Sequence, residues 1–427
     1  MSFFGNKVTL RDGPQLDAFS RLRVSQAVTL FDSQQEYGLD TLRAWDATAN
    51  GALSYSTGSS NGSVSSGGNS VGPRNVNTRM VPIVVSTTSG HYSVLQSRQY
   101  LRYIPGKSHL IFMTGVFSPG TVANTDARTG YFDNANGIFL KVTNGAASFV
   151  RRTSTSGTPS DTDAYAQAAW NIDPFDGTGP SGITLDLTKT QILFIQAQWL
   201  GVGRVIVGFD IDGVLYPAHE FLHANVIAVP YTQSFNLPVR MELRNTGTSA
   251  GATIQFVCCS VQSEGGEQLR GWPHSSPPGI STVAVTTRRP VLSIRNAATY
   301  NSITNRTHIA DIDFSLHATT NDSLYEVVVG GTLTGASWTA VGTNSASEYD
   351  SSATAITGGL SVIKGFVISG SGSNSNITRG QSDLRNPLVI SQIDALTATQ
   401  QSISIVCTSF SGTSNVTAVA NWHEQVI

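Results

Sequence analysis

The sequence predicts an all-β protein, an N-terminal arm followed by two antiparallel β-sandwiches of jelly-roll or concanavalin type. Three observations predict it. Short runs rich in Val, Ile, Phe and Tyr recur along the chain, each bounded by Gly, Asn, Asp or Pro. A single stretch, Gly265 to Pro278, interrupts them with Gly-Gly, Trp272-Pro273 and Pro277-Pro278 and carries no periodic apolar run, the mark of a domain boundary. Finally, only 13% of the 427 residues are charged while 41 are glycine, so solubility rests on neutral polar groups. The expected division is an arm with an extended β region at 1–106, a sandwich at 107–265, a linker at 266–285 and a second sandwich at 286–427.

Taken in order, Val8-Thr-Leu10 is expected to pair as an edge strand. The stretch from Asp17 to Ser33 reads as an arm. Leu22, Val24, Val28, Leu30 and Phe31 supply apolar anchors, and Arg21 and Arg23 alternate with them as on a strand with one wet face. A segment this short cannot offset its ordering entropy alone, so it must lie on another part of the fold or on a neighbouring chain. Asp17, Phe19, Arg21, Arg23, Leu30, Phe31 and Asp32 are its expected assembly residues. Leu39, Leu42 and Trp45 recur at three-residue spacing, which predicts a short helix over Glu36 to Asp46. Asn50 to Pro73, rich in Gly, Ser and Asn, is expected to be an exposed loop or hairpin.

Strand-like runs follow at Met80–Ser86 and Tyr92–Tyr103. The first sandwich then draws on His109–Phe117, Gly137–Thr143, Ala147–Arg152, Gln191–Trp199, Gly203–Phe209, Pro238–Arg244 and Thr253–Ser260, with Trp199 and Phe209 toward its core. Asp210-Ile-Asp212-Gly213 has the chemistry of a hairpin turn. The second sandwich is expected from Val291–Arg295, Thr307–Leu316, Ser323–Val329, Leu360–Ile368, Asn386–Ile390, Ser402–Cys407 and Asn415–Trp422.

Two segments carry a resemblance. Asp17-Ala-Phe-Ser-Arg-Leu-Arg-Val-Ser, followed by Thr29-Leu-Phe-Asp-Ser33, resembles a segment near the N-terminus of many virion structural proteins of tailed bacteriophages, whose usual form is closer to D-A-F-G-R-L-R-V-S. Ser20 replaces the customary Gly, so a turn that needs positive φ there would be strained. The second match is Val214-Leu-Tyr-Pro-Ala-His-Glu-Phe-Leu-His-Ala-Asn-Val-Ile-Ala-Val-Pro-Tyr231 with Asn236-Leu-Pro-Val-Arg-Met-Glu242. The resemblance runs to about Gly265 and implies a virion component without fixing its place in the virion; together with the composition, the leading reading is a part of the tail, neck or appendages, partnered by other virion proteins, with assembly expected in the host cytoplasm. A capsid decoration protein is the alternative within that class. A receptor or glycan binder, with possible hydrolase activity, is a third reading, with Trp272, Trp338 and Trp422 as candidate sugar platforms and core burial the default for each.

The remaining chemistry-bearing motifs point away from catalysis. His219-Glu-Phe-Leu-His223 has H-E-x-x-H spacing, which binds zinc only from a helix. Pro217 and Pro230 bracket it and Val214–Tyr216 reads as a strand, so a loop or single turn is expected, with Glu220 pairing Arg204, Arg240 or a backbone amide. Asp210 with Asp212, and Asp311 with Asp313, stand two apart as glycosidase acids sometimes do. The first pair is better read as a turn and the second as a solvated strand face. Cys258, Cys259 and Cys407 lack metal-ligand spacing and are expected to be reduced and buried. No P-loop occurs. The expectation is therefore no catalytic residue, no metal and no cofactor. A net charge of −2 disfavours a nucleic-acid partner, and the absence of a long apolar run disfavours a membrane one. Near-zero charge suits a homo-oligomer packed against other chains.

Overall fold

The computed structural model describes residues 27–34, 45–49, 52–54, 64–66, 68–97, 100–265, 271–276, 282–370, 378–381 and 400–425. Its strands up to Glu264 are β1 (Ala27–Gln34), β2 (Trp45–Ala49), β3 (Ala52–Ser54), β4 (Val64–Ser66), β5 (Asn69–Val71), β6 (Val81–Val85), β7 (Tyr92–Ser97), β8 (Ser108–Val116), β9 (Thr125–Phe132), β10 (Gly137–Thr143), β11 (Ala146–Thr153), β12 (Ser160–Ala166), β13 (Gln191–Ala197), β14 (Val205–Ile211), β15 (Val214–Phe221), β16 (Val239–Asn245) and β17 (Ala252–Glu264). They form two antiparallel sheets. One has the order β15-β14-β13-β8-β17-β6-β5-β4 with β1 also on β17, and the other the order β12-β11-β10-β9-β16-β7-β2-β3. β8 shows the governing pattern: every second residue, His109, Ile111 and Met113 among them, is buried, while the alternate ones are partly wet. The core between the sheets includes Ile111, Met113, Tyr131, Leu140, Phe149 and Phe209, with Trp199 packed half-buried against it.

Three expectations change here. The 106/107 boundary is not a boundary of the sheets, because β6 pairs with β17 and β7 with β16, strands far along the chain. Trp45 and Asp46 open a strand, and the rest of the expected helix lies outside the described residues, as do the expected edge strand at Val8–Leu10 and the run at Asn386–Ile390. Within the supposed exposed stretch 50–73, Val71 is fully buried in the core, and the Asn69 side chain, also buried, accepts the Ser86 amide at 2.8 Å.

The second sandwich has one sheet ordered Trp272–Ser275, Ser414–Gln425, His308–Ala318, Thr378–Gln381, with Val283–Val285 also on Ser414–Gln425. The other runs Thr339–Ala340, Ser347–Asp350, Arg289–Asn296, Ser402–Ser409, Ser323–Val329, Leu360–Val367. Phe314, Leu316, Val291, Ile294, Ile405 and Trp422 lie between them. The expected linker 266–285 thus contributes two edge strands. Pro273 is tolerated because Trp272–Ser275 pairs on one side only.

The sandwiches meet around Tyr100. Its hydroxyl donates to Asp133 at 3.1 Å, the Arg306 guanidinium lies 3.8 Å from its ring centroid and 3.4 Å from the Asp133 carboxylate, and His308 Nε2 donates to its carbonyl at 3.0 Å. Burial pushes the Tyr100 hydroxyl far above its ordinary value and pulls His308 down to about 4.

Candidate assembly interface

The arm meets the fold at β1. Of the expected assembly residues, Leu30, Phe31 and Asp32 lie in it, and Asp17, Phe19, Arg21 and Arg23 lie outside the described residues. β1 runs antiparallel to β17, Phe31 opposite Val261 and Ser33 opposite Cys259, with a register shift at Leu30. Phe31 is buried in the core and Asp32 faces out. The slot exists because β6 pairs with β17 only as far as Phe256, leaving the edge from Cys258 to Glu264 for β1. This part of the arm is an integral strand of its own chain's sheet.

Sequence reasoning missed a second feature. Leu200, Val202, Leu222, Val226 and Val229 are between 41% and 73% exposed, on two loops at one end of the same sandwich. The loops are laced together: Tyr231 donates its amide to the Gly201 carbonyl at 2.8 Å, His223 Nδ1 donates to the Gly203 carbonyl at 2.8 Å, and Gly203 donates to the Trp199 carbonyl at 2.8 Å. Below them the Trp199 indole donates to Thr232 at 2.8 Å, and the Leu200 amide donates to the Tyr103 hydroxyl at 3.3 Å. Leu200 is held at φ 36, a left-handed conformation unfavourable for a side chain with Cβ. Exposed aliphatic side chains on a fixed, locally strained backbone need little ordering on contact, which favours a protein interface.

His219 and His223 support that surface. β15 does not end at Tyr216 as expected. It passes Pro217 through a register shift opposite Val207 and Gly208 and runs to Phe221, so His219 lies on a strand and His223 follows it in the loop. The Phe221 ring stands between the two imidazoles, 4.8 Å from His219 and 6.5 Å from His223. The side chains therefore do not converge on one ion, and no group of three potential metal ligands occurs among the described residues. His219 Nδ1 accepts the Asn171 amide at 3.2 Å, and the Asn171 side chain accepts from the Glu220 amide at 2.9 Å and donates to its carbonyl at 3.0 Å. A side-chain amide thus takes the place of a neighbouring strand at the edge of β15. Burial lowers His219 to about 4 and also lowers His223, which stacks on Tyr231 at 4.1 Å. Of the partners expected for Glu220, Arg204 is the one found, at 3.8 Å.

The other candidates separate cleanly. Asp212 (φ 54) and Gly213 (φ 81) form the two-residue turn joining β14 to β15, and Asp210 accepts the Gly213 amide at 2.9 Å. Asp313 is half-buried between buried Ile312 and Phe314, on the strand face away from the core, with one carboxylate oxygen shielded from solvent; the Asp311 side chain lies outside the described residues. Trp422 is buried and donates to buried Glu424 at 3.1 Å. Trp338 is half-buried beneath Arg295, 4.0 Å from its ring centroid. Trp272 departs from the expected burial, being 73% exposed on an edge strand.

No protein-family model and no curated protein matches the chain. Among solved structures it is similar to a protein of unknown function from Shewanella oneidensis MR-1 (TM-score 0.33, 11% identity, 64% of this chain and 99% of that one). It is also similar to a glycosyl hydrolase family protein from Mycobacterium fortuitum (TM-score 0.36, 11% identity, 55% and 99%). A third is the CBM2 module of an evolved Dit of Lactobacillus casei BL23 phage J-1 (TM-score 0.32, 6% identity, 58% and 100%). Likeness at this level assigns no activity.

Proposed function

We propose that this chain is a structural component of a tailed-bacteriophage virion, of the tail, neck or appendages, acting as a homo-oligomer in contact with other virion proteins. The observation that carries the reading is the fixed aliphatic surface of Leu200, Val202, Leu222, Val226 and Val229, three of whose residues fall inside Val214–Tyr231, one of the two segments that resemble phage virion proteins. The proposal assigns no catalytic residue, metal or cofactor. The chain works through surfaces, in the virion, after assembly in the host cytoplasm.

Leu222→Asp combined with Val226→Asp tests it. Both side chains are largely exposed, so folding stability should change by no more than about 0.5 kcal/mol per site. Incorporation of the folded variant into particles should fall at least tenfold, and electron microscopy of wild-type particles should place density for this chain at that contact. Wild-type incorporation of the double variant would sink the reading, and copy number in the density separates a tail or neck position from capsid decoration. One observation favours a glycan-binding reading as the alternative, the exposed Trp272 beside exposed Pro273. Glycan-array binding lost on Trp272→Ala would support it.

A further inference from the structure

We propose that β1 is an exchangeable strand, so that in the oligomer the slot beside Cys258 to Glu264 of one copy receives Ala27–Gln34 of a second copy. The proposal deepens the assembly reading by naming the partner of the arm, and it rests on three features of the fold. First, β17 outruns β6, and among the described strands β1 is the one that covers the edge left by its last residues. An empty slot would expose unpaired backbone and remove Phe31 from the core, so an occupant is required. Second, among the described strands β1 pairs with β17 alone, and it is joined to β2 through residues 35–44. Ten residues span up to about 35 Å when extended, whereas packed sheets are about 10 Å apart. The connection is long enough to reach a neighbouring molecule. Third, an identical strand from another copy reproduces every hydrogen bond and the Phe31 contact, so exchange costs little beyond chain entropy. At the opposite edge of this sheet Asn171 occupies the Glu220 backbone groups, so strand addition is obstructed there.

Gln34 lies opposite the native Cys258 in the register, and neither side chain is buried. Two full-length chains are co-expressed, a tagged Gln34→Cys, Cys258→Ser chain and an untagged wild-type chain. The only cross-strand thiol pair then joins position 34 of one to Cys258 of the other. After mild oxidation, exchange gives a disulfide-linked species of twice the chain mass carrying both chains, lost when the untagged partner is Cys258→Ser. A Gln34→Cys chain that retains Cys258 reports the contrary outcome. If it closes only an internal disulfide and the co-expressed pair yields no mixed dimer, β1 stays on its own chain and the proposal fails. That failure would leave the test at Leu222 and Val226 standing, and failure there would leave a mixed disulfide standing.

Discussion

Acid should weaken the first sandwich in a window set by two histidines. His109 is fully buried among Tyr103, Tyr131 and Phe235, and burial, only partly offset by a backbone hydrogen bond to Arg102, lowers it to about 4. His219, 2% exposed, is lowered to about 4 by the same cause. In the unfolded chain both titrate near 6.5. Below that pH the unfolded state binds protons that the folded state refuses, so their contribution is complete above about pH 6.5 and is lost as pH falls toward 4. Each histidine is then worth up to about 3 kcal/mol across the window, and two protons make the slope about 3 kcal/mol per pH unit, against a typical domain stability of about 5–15 kcal/mol. Carboxylates act lower on the scale. Burial raises Asp161 and Asp173, but the Arg152 fork on the first and the Phe175 and Ser181 amides on the second outweigh it, so both are held low and their contribution persists until pH falls below about 4. Urea unfolding at pH 7.5, 6.0 and 5.0 measures the slope, and His109→Leu should reduce it by about one proton. A midpoint that stays constant from pH 7.5 to 5.0, or a slope unchanged in that variant, would refute the reasoning.

Three further outcomes follow from buried contacts. Phe31→Ala should cost about 3–5 kcal/mol in chemical denaturation, since the ring is 4% exposed and its loss also loosens β1; a loss under 1 kcal/mol would show that β1 is not seated. Glu242→Gln should cost about 3–5 kcal/mol, because Arg240 and Arg244 both pair with this fully buried carboxylate and Arg128 stands 3.6 Å away; thermal unfolding within a degree of wild type would contradict it. Arg306→Ala should leave both sandwiches folded and speed proteolytic cleavage between them severalfold, since it removes the stack on Tyr100 and the pair with Asp133; unchanged cleavage would mean the junction holds without it.

Much of the fold was legible because strand periodicity is local: β8, β13, β14 and the hairpin at Asp212-Gly213 announce themselves in a few residues. What was not legible depends on pairing between distant segments. β6 and β7 precede position 106 yet complete sheets closed by β17 and β16, and no composition shift marks that. Arg240, Glu242 and Arg244 alternate as a wet strand face would, yet Arg240 and Glu242 are buried because each supplies the other's counter-charge. The aliphatic surface escaped because Leu200, Val202, Leu222, Val226 and Val229 sit in loops, where a search for periodicity finds nothing. The available signal was aliphatic residues crowded between Gly201, Gly203 and Pro230 with no strand to belong to.

The two ends of the first sheet embody opposite solutions to one problem. A strand edge with free backbone groups invites any extended chain, and a protein of low net charge has little repulsion to keep copies apart. At β15 the edge is closed from within, by Asn171 on Glu220 and by the Ile172 and Asp173 amides on the Ala218 carbonyl at 3.1 and 3.0 Å. At β17 it is closed by a strand near the chain's N-terminus whose connection has length to spare. An edge sealed by side chains can only refuse partners, whereas one sealed by a strand on a long connection can accept the same strand from elsewhere without an unpaired intermediate at equilibrium. Asn171→Ala should therefore promote indiscriminate association through β15, seen as concentration-dependent aggregation, while exchange through β1 gives discrete species. If Asn171→Ala stayed as dispersed as wild type at equal concentration, the edge of β15 would not be under such control.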